Sequence, residues 1–252
     1  MPTADNRTAL ILIPGIQGRW EYMRPAVDAL SKHFNVLTFS LCSAATLDAY
    51  ADQVVATMDR DNVERAVILG VSFGGLVALR FAAIHPERTE ALVLASTPAP
   101  GWHLRRRHLL YARLPWVFGP LFMIESPWRL RLEFNAAFRE ARARRAFKRA
   151  VVQTLVAAPI SLRQMAARAR LMSGIDLSDD CACVSAPTLV VTGEPQLDHV
   201  VPVDGSSQYA RLIAGARAAT LAQTGHLGTI TRPHEFAALV RDFVKQAGHA
   251  AA

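Results

Sequence analysis

Cysteine is scarce in this chain: Cys42, Cys181 and Cys183 are the only three in 252 residues. That number is odd and too small for a disulfide framework, and it predicts a reducing, cytoplasmic setting. Long apolar runs are missing as well. No stretch reaches about 18 consecutive apolar residues, so no transmembrane segment is expected. The first apolar run, Ala9 to Pro14, is short and lacks a basic leader, with Asp5 just before it, which argues against a secretory signal. There is no His-Glu-x-x-His and no paired Cys-x-x-Cys. Cys181-Ala-Cys183 alone reads as two small buried residues rather than a metal site. Neither metal nor cofactor is expected. Charged residues make up only 19% and apolar residues 51%, the balance of a packed core and not of a disordered chain.

What charge there is lies unevenly. Residues 100–170 hold 15 Lys and Arg against 3 acids, while the rest of the chain holds 13 against 18. One segment therefore carries the whole basic excess behind the net charge of +7. Such a patch could attract an anionic substrate or an acidic lipid surface. A solvated helix face is the plainer reading. No nucleic-acid-binding motif or base-stacking platform accompanies it, so nucleic acid is not an expected partner.

Outside that segment, short apolar runs alternate with helical patterns. Strands are expected at Thr8–Ile13, Val36–Phe39, Ala66–Leu69, Ala91–Ala95, Thr188–Thr192 and Ala218–Leu221. Helices are expected at Glu21–His33, Leu47–Arg60, Leu76–Ile84, Ser206–Ile213 and Pro233–Gln246. Strands that are apolar on both faces and joined through helices imply an α/β fold, a mostly parallel central sheet with helices on both faces. Residues 1–101 and 184–252 form this core, and 102–183 read as an inserted helical lid. Phe134, Phe138, Phe147, Val151 and Leu155 are spaced for one helix face, with Arg142, Arg145 and Arg149 elsewhere on it. Trp102, Trp116, Phe118, Phe122, Trp128 and Phe134 suggest an apolar inner side to the lid.

The chemistry concentrates at Gly70-Val71-Ser72-Phe73-Gly74, a G-x-S-x-G between an expected strand and an expected helix. A sharp strand-to-helix turn forces the serine into strained geometry, and glycines on either side admit the close approach of neighbouring backbone. The serine hydroxyl then stands clear of the sheet beside the positive end of the helix. A dinucleotide-type phosphate turn is the competing reading. Ser72 occupies the place of that motif's second glycine, and no acid ends the next strand, which weighs against it.

On these residues the chain resembles the α/β-hydrolase family, whose chain order is serine, acid, histidine. Gln223-Thr224-Gly225-His226-Leu227 follows the last expected strand, and His226 is similar to the family's base. The segment Gly193-Glu194-Pro195-Gln196-Leu197-Asp198-His199-Val200-Val201-Pro202 resembles the family's acid loop. Counting back from Val201-Pro202 selects Asp198; counting forward from Gly193 puts it two residues late. Glu194 is the reserve. The resemblance implies an oxyanion hole from the Phe73 N–H and the Ile16 N–H, with Gln17 next in line. It covers nearly the whole chain outside the lid.

A serine in this position argues against the epoxide hydrolases and dehalogenases of the fold, which use aspartate. The resemblance implies a serine hydrolase that cleaves a carboxylic ester of a small-to-medium apolar or aromatic acyl group through an acyl-enzyme, acting on a small molecule. A thioesterase, lactonase or carbon–carbon bond hydrolase would use the same triad. A receptor-like member with little turnover is the alternative of another class. Oligomeric state is not legible in the sequence.

Overall fold

Leu10 and Leu12 point to one side of the first strand, Ile11 and Ile13 to the other, and both pairs are fully buried. That alternation follows from the two-residue period of a strand, and it requires a helical layer on each face. The computed structural model describes residues 7–251, apart from the side chains of Phe122, Pro127, Ala250 and Ala251. The expected absence of a leader in the first six residues, and the Phe122 ring, lie outside the described residues.

Six strands form one sheet: β1 (Ala9–Ile13), β2 (Asn35–Thr38), β3 (Ala66–Val71), β4 (Thr89–Ala95), β5 (Thr188–Thr192) and β6 (Arg217–Thr220). Their order is β2-β1-β3-β4-β5-β6, and every described pairing is parallel. One face packs on α1 (Arg24–Leu30), together with the C-terminal helix Pro233–Ala251. The other packs on α2 (Leu47–Arg60) and α3 (Phe73–Ile84). Thr46 caps α2 by accepting from the Ala49 N–H, which satisfies a donor at the helix start.

Six helices follow β4 and precede β5: α4 (Arg106–Arg113), α5 (Pro115–Arg129), α6 (Arg131–Ala137), α7 (Ala141–Ala157), α8 (Leu162–Met172) and α9 (Ser178–Cys183). The last of them lies on the core, where buried Cys181 packs and Asp180 pairs with Arg80 of α3 at 2.7 Å. Beyond β5 come α10 (Val203–Ser206), α11 (Tyr209–Leu212), α12 (Gly228–Thr231) and α13 (Pro233–Ala251).

Three local expectations change. The helix expected over Glu21–His33 begins as a 3-10 turn, Trp20–Met23, and becomes α-helical only at Arg24-Pro25, where proline's fixed φ suits a first turn. The helix expected over Ser206–Ile213 divides into α10 and α11. The single helix face drawn through Phe134 and Leu155 is broken: Phe138 takes extended dihedrals (φ −124°, ψ 95°) and ends α6. The rings still meet across the corner, Phe147 lying 5.6 Å from Phe134 and 4.9 Å from Phe138 between centroids.

Candidate active site

In a parallel sheet the loops after the strands' C-terminal ends share one edge, and ligands bind there. Ser72 follows β3 directly and precedes α3 directly, so one residue must turn the chain. It does so at φ 55°, ψ −120°, a conformation that side chains other than glycine rarely adopt. Hydrogen bonds fix the turn from both sides: the Ser72 N–H donates to Ala95 O and the Gly75 N–H donates to Ser72 O, each at 2.8 Å. A Cβ on Gly74 would fall 2.3 Å from Ile13 O, so only glycine lets α3 start this close to β1.

The loop after β1 reaches the same point. A Cβ on Gly15 would stand 3.5 Å from Ser72 Cβ, and the next residues, Ile16 and Gln17, line the cavity in front of Ser72. Phe73 is the first residue of α3; its buried ring meets Tyr50 edge-on at 5.2 Å. Arg168 of α8 secures this loop from below. It is 1% exposed and donates to Ile16 O (3.1 Å), Leu41 O (2.8 Å) and the Tyr50 hydroxyl (3.2 Å).

The loops after β5 and β6 pack backbone against backbone. A Cβ on Gly193 would lie 2.4 Å from Gly225 O, and one on Gly225 2.5 Å from Leu197 O. Asp198 and His226 face each other across this seam, with His226 Nδ1 3.5 Å from Asp198 Oδ2. At that separation the contact is electrostatic and falls outside hydrogen-bond geometry. The other carboxylate oxygen accepts from the Val200 and Val201 N–H groups, both at 2.9 Å. Burial pushes the Asp198 carboxyl up, yet the facing imidazole and the two amides outweigh it and hold the group below the usual carboxylate range. Glu194 does different work: its carboxylate accepts from the Gln223 N–H (2.8 Å) and the Gln196 amide (2.6 Å), tying the two loops together.

A further carboxylate reaches this seam from the helices between β4 and β5. Glu133 of α6 is 0% exposed and accepts from the Leu227 N–H at 2.7 Å, one residue beyond His226. Burial pushes its carboxyl up, opposed by the Gly225 and Leu227 amides and by His226. Its second oxygen has no hydrogen-bond partner among the described residues. Sequence reasoning passed over Glu133 and Arg168 because each lies in the Arg-rich segment, where charge reads as solvated surface.

Ser72, Ile16, Gln17 and His226 open on one cavity of about 320 Å³. Its remaining wall is mostly apolar and comes largely from the segment between β4 and β5, including Trp102, Tyr111, Met123, Leu130 and Met165. The expected aromatic inner side is corrected in part. Trp102 lines the cavity, but Trp116 and Trp128 are 78% and 68% exposed. Phe118 stacks on Tyr111 instead, and Phe134 packs on Phe147. Among the described residues, no cluster of three His, Cys, Asp or Glu could hold a metal ion, and no helix is long and apolar enough to cross a membrane.

A family model described as the alpha/beta hydrolase family matches residues 10–239, and the chain belongs to that family. Its likeness to individual relatives is distant. It is 28% identical to the "Putative carbamate hydrolase RutD" of Caulobacter sp. (strain K31), over 96% of this chain and 92% of that protein. It is 28% identical to the 2-hydroxymuconate semialdehyde hydrolase of Pseudomonas sp. (strain CF600), over 81% of this chain and 70% of that one. Among solved structures, the enol-lactonase from Burkholderia xenovorans LB400 superposes with a TM-score of 0.76 at 24% identity, over 95% of this chain and 92% of the other. This last likeness speaks for the fold alone.

Proposed function

We propose that this hydrolase cleaves a carboxylic ester of a small-to-medium apolar or aromatic acyl group through an acyl-enzyme. Ser72 is the nucleophile, His226 the base and Asp198 the acid. The single observation that carries this reading is the strained Ser72 at the start of α3, opening on the same cavity as His226, whose Nδ1 faces Asp198. With Nδ1–H turned toward Asp198, Nε2 is the nitrogen left to accept a proton. Ser72 Oγ attacks the ester carbonyl as its proton passes to Nε2, and the imidazolium then protonates the departing alcohol. Water, deprotonated by His226, attacks the acyl-enzyme; the acid leaves and Ser72 regains its proton. Asp198 orients the ring and balances its transient charge without taking the proton. The Phe73 and Ile16 N–H groups hold the oxyanion, with Gln17 N–H as the substitute for Ile16.

The inserted helices act in this reading as a lid, because they supply most of the cavity's apolar wall. Three methionines in that wall, Met123, Met165 and Met172, give it an adaptable surface suited to acyl chains. The same machinery serves thioesters, lactones and carbon–carbon bonds. Relatives named for carbamate and 2-hydroxymuconate semialdehyde hydrolysis, and not for ester hydrolysis, favour keeping a bond other than an ester as the second reading. Turnover of p-nitrophenyl esters of graded acyl length, compared with carbamate, lactone and vinylogous diketone substrates, tests it. Ester turnover that vanishes in Ser72→Ala and His226→Ala supports the first reading. Turnover confined to another bond type moves the assignment there, and none from a folded parent leaves the receptor-like alternative.

A further inference from the structure

Helix α5 is apolar on two sides. Gly119 and Met123 turn inward and line the cavity. Trp116, Val117, Leu121, Ile124 and Trp128 fall elsewhere on the helix, within an arc of about 140° at the helical period, and all five are exposed. Trp116 and Ile124 are 78% and 74% exposed. Contiguous apolar side chains on one outer face mark a surface that meets something other than water. Cations border this stripe. Arg113, the last residue of α4, and Arg163 and Arg170 of α8 line a hollow together with Pro115 and Trp116, and no carboxylate lines it. Arg170 donates to Ala112 O, while Arg113 and Arg163 form no hydrogen bond or ion pair among the described residues. At the other end of the stripe the Arg131 guanidinium lies 4.3 Å from the centre of the Trp128 ring. Glu125, the one acid of α5, is paired with Arg107.

We propose that the outer face of α5, with Arg113, Arg163 and Arg170, docks on an anionic phospholipid surface. The helix lies in the plane of the interface, its stripe in the acyl boundary and the arginines on lipid phosphates. Tryptophan at both ends of the stripe suits the headgroup level, where an apolar ring and a ring N–H are both accommodated. The aliphatic Val117, Leu121 and Ile124 between them call for hydrocarbon and not for stacked bases. Charge selects the lipid over a second copy of this chain. Residues 100–170 hold 15 Lys and Arg against 3 acids, so an isologous contact through this face would set two basic surfaces against each other. An anionic leaflet attracts the same charge. Docking goes beyond the hydrolase reading and does not depend on which bond is cleaved.

Co-sedimentation with vesicles of phosphatidylcholine alone, and of phosphatidylcholine and phosphatidylglycerol in a two-to-one mixture, tests the docking. The parent should bind the anionic vesicles at least about tenfold more tightly than the neutral ones, with tryptophan emission moving to shorter wavelength and release as salt rises. Arg113→Gln with Arg163→Gln should weaken binding to the anionic vesicles by roughly 10- to 30-fold, about fivefold for each arginine at the surface. Trp116→Ser with Ile124→Ser should weaken it by about tenfold or more. All four side chains are exposed, so urea midpoints should stay near the parent's. Where the apolar pair lowers the midpoint, the single Trp116→Gln takes its place. No vesicle binding by the parent, equal binding to both compositions, or binding that survives both pairs of substitutions overturns the proposal. A dimer in sedimentation velocity that Trp116→Ser with Ile124→Ser abolishes, with no vesicle binding, gives the stripe to a second copy instead. Calorimetric binding of inorganic phosphate with no vesicle binding reduces the arginines to an ion site, and likewise overturns it.

Discussion

Glu133 Oε1 accepts a hydrogen bond from the Leu227 N–H at 2.7 Å, joining a helix of the insertion to the loop that bears His226. The two residues are 94 positions apart. The bond is fully buried on the carboxylate side, so its loss cannot be made good by water. It fixes the backbone immediately after the candidate base, and it makes the position of the insertion and the position of His226 one problem.

Glu133→Ala should therefore lower stability by about 1–3 kcal/mol, the cost of leaving a buried donor unpaired. Glu133→Gln keeps an acceptor for the Leu227 N–H and should cost less. Urea titrations at neutral pH read both. If the hydrolase reading holds, kcat should fall more in the alanine variant than in the glutamine variant, with KM less affected.

The pH dependence has opposite signs at the two buried carboxyls. Burial raises Glu133, so its favourable contribution to stability is complete below the ordinary carboxylate range and is lost as pH rises through its elevated value. Asp198 is depressed, so its contribution is present above the ordinary range and is lost as pH falls through its lowered value. Relative to the parent, Glu133→Gln should become steadily more stable as pH climbs above the carboxylate range. Asp198→Asn should be least damaging to stability in acid. Denaturation midpoints measured across pH for the two variants check the signs.

Arg168 holds the loop behind Ser72. Arg168→Leu strips the bonds to Ile16 O, Leu41 O and the Tyr50 hydroxyl, and should cost about 2–4 kcal/mol through the acceptors left unsatisfied. A lower urea midpoint with an unchanged m-value would bear this out. Turnover by the folded fraction should fall too, because the Ile16 N–H shares its loop with the carbonyl Arg168 grips.

Asp198 and Glu194 are separable by substitution. Asp198→Asn should reduce kcat by about 10⁴, the scale on which the wrong imidazole tautomer disables a serine triad. Glu194→Gln still offers an oxygen to the Gln223 N–H and should cost under about tenfold. Steady-state kinetics on a common ester decide between them, and the reverse ranking would transfer the acid to Glu194.

The alternating strands and the serine turn were legible because each depends on neighbours in sequence. Short unbroken apolar runs declare strands buried on both faces, and Gly70-Val71-Ser72-Phe73-Gly74 needs nothing remote to be understood. The two-residue offset of Asp198 has its reason in packing. Leu197 and Asp198 N–H both donate to Glu194 O, folding the extra length into a turn that still presents Asp198 to His226. Glu133 and Arg168 were not legible, because each acts on a partner far away in the chain. Trp116 and Trp128 misled for the same reason: their residue type suggested burial, while α5 turns them to solvent and seats Arg131 over the Trp128 ring at 4.3 Å.

The central claim is that Ser72 is a nucleophile activated by His226. Labelling with a fluorophosphonate probe, followed by intact-mass analysis and peptide mapping, tests it most directly. The account predicts one adduct on the parent at Ser72, none on Ser72→Ala, and strongly slowed labelling of His226→Ala. A folded parent that stays unlabelled, or an adduct that persists in Ser72→Ala, would contradict it.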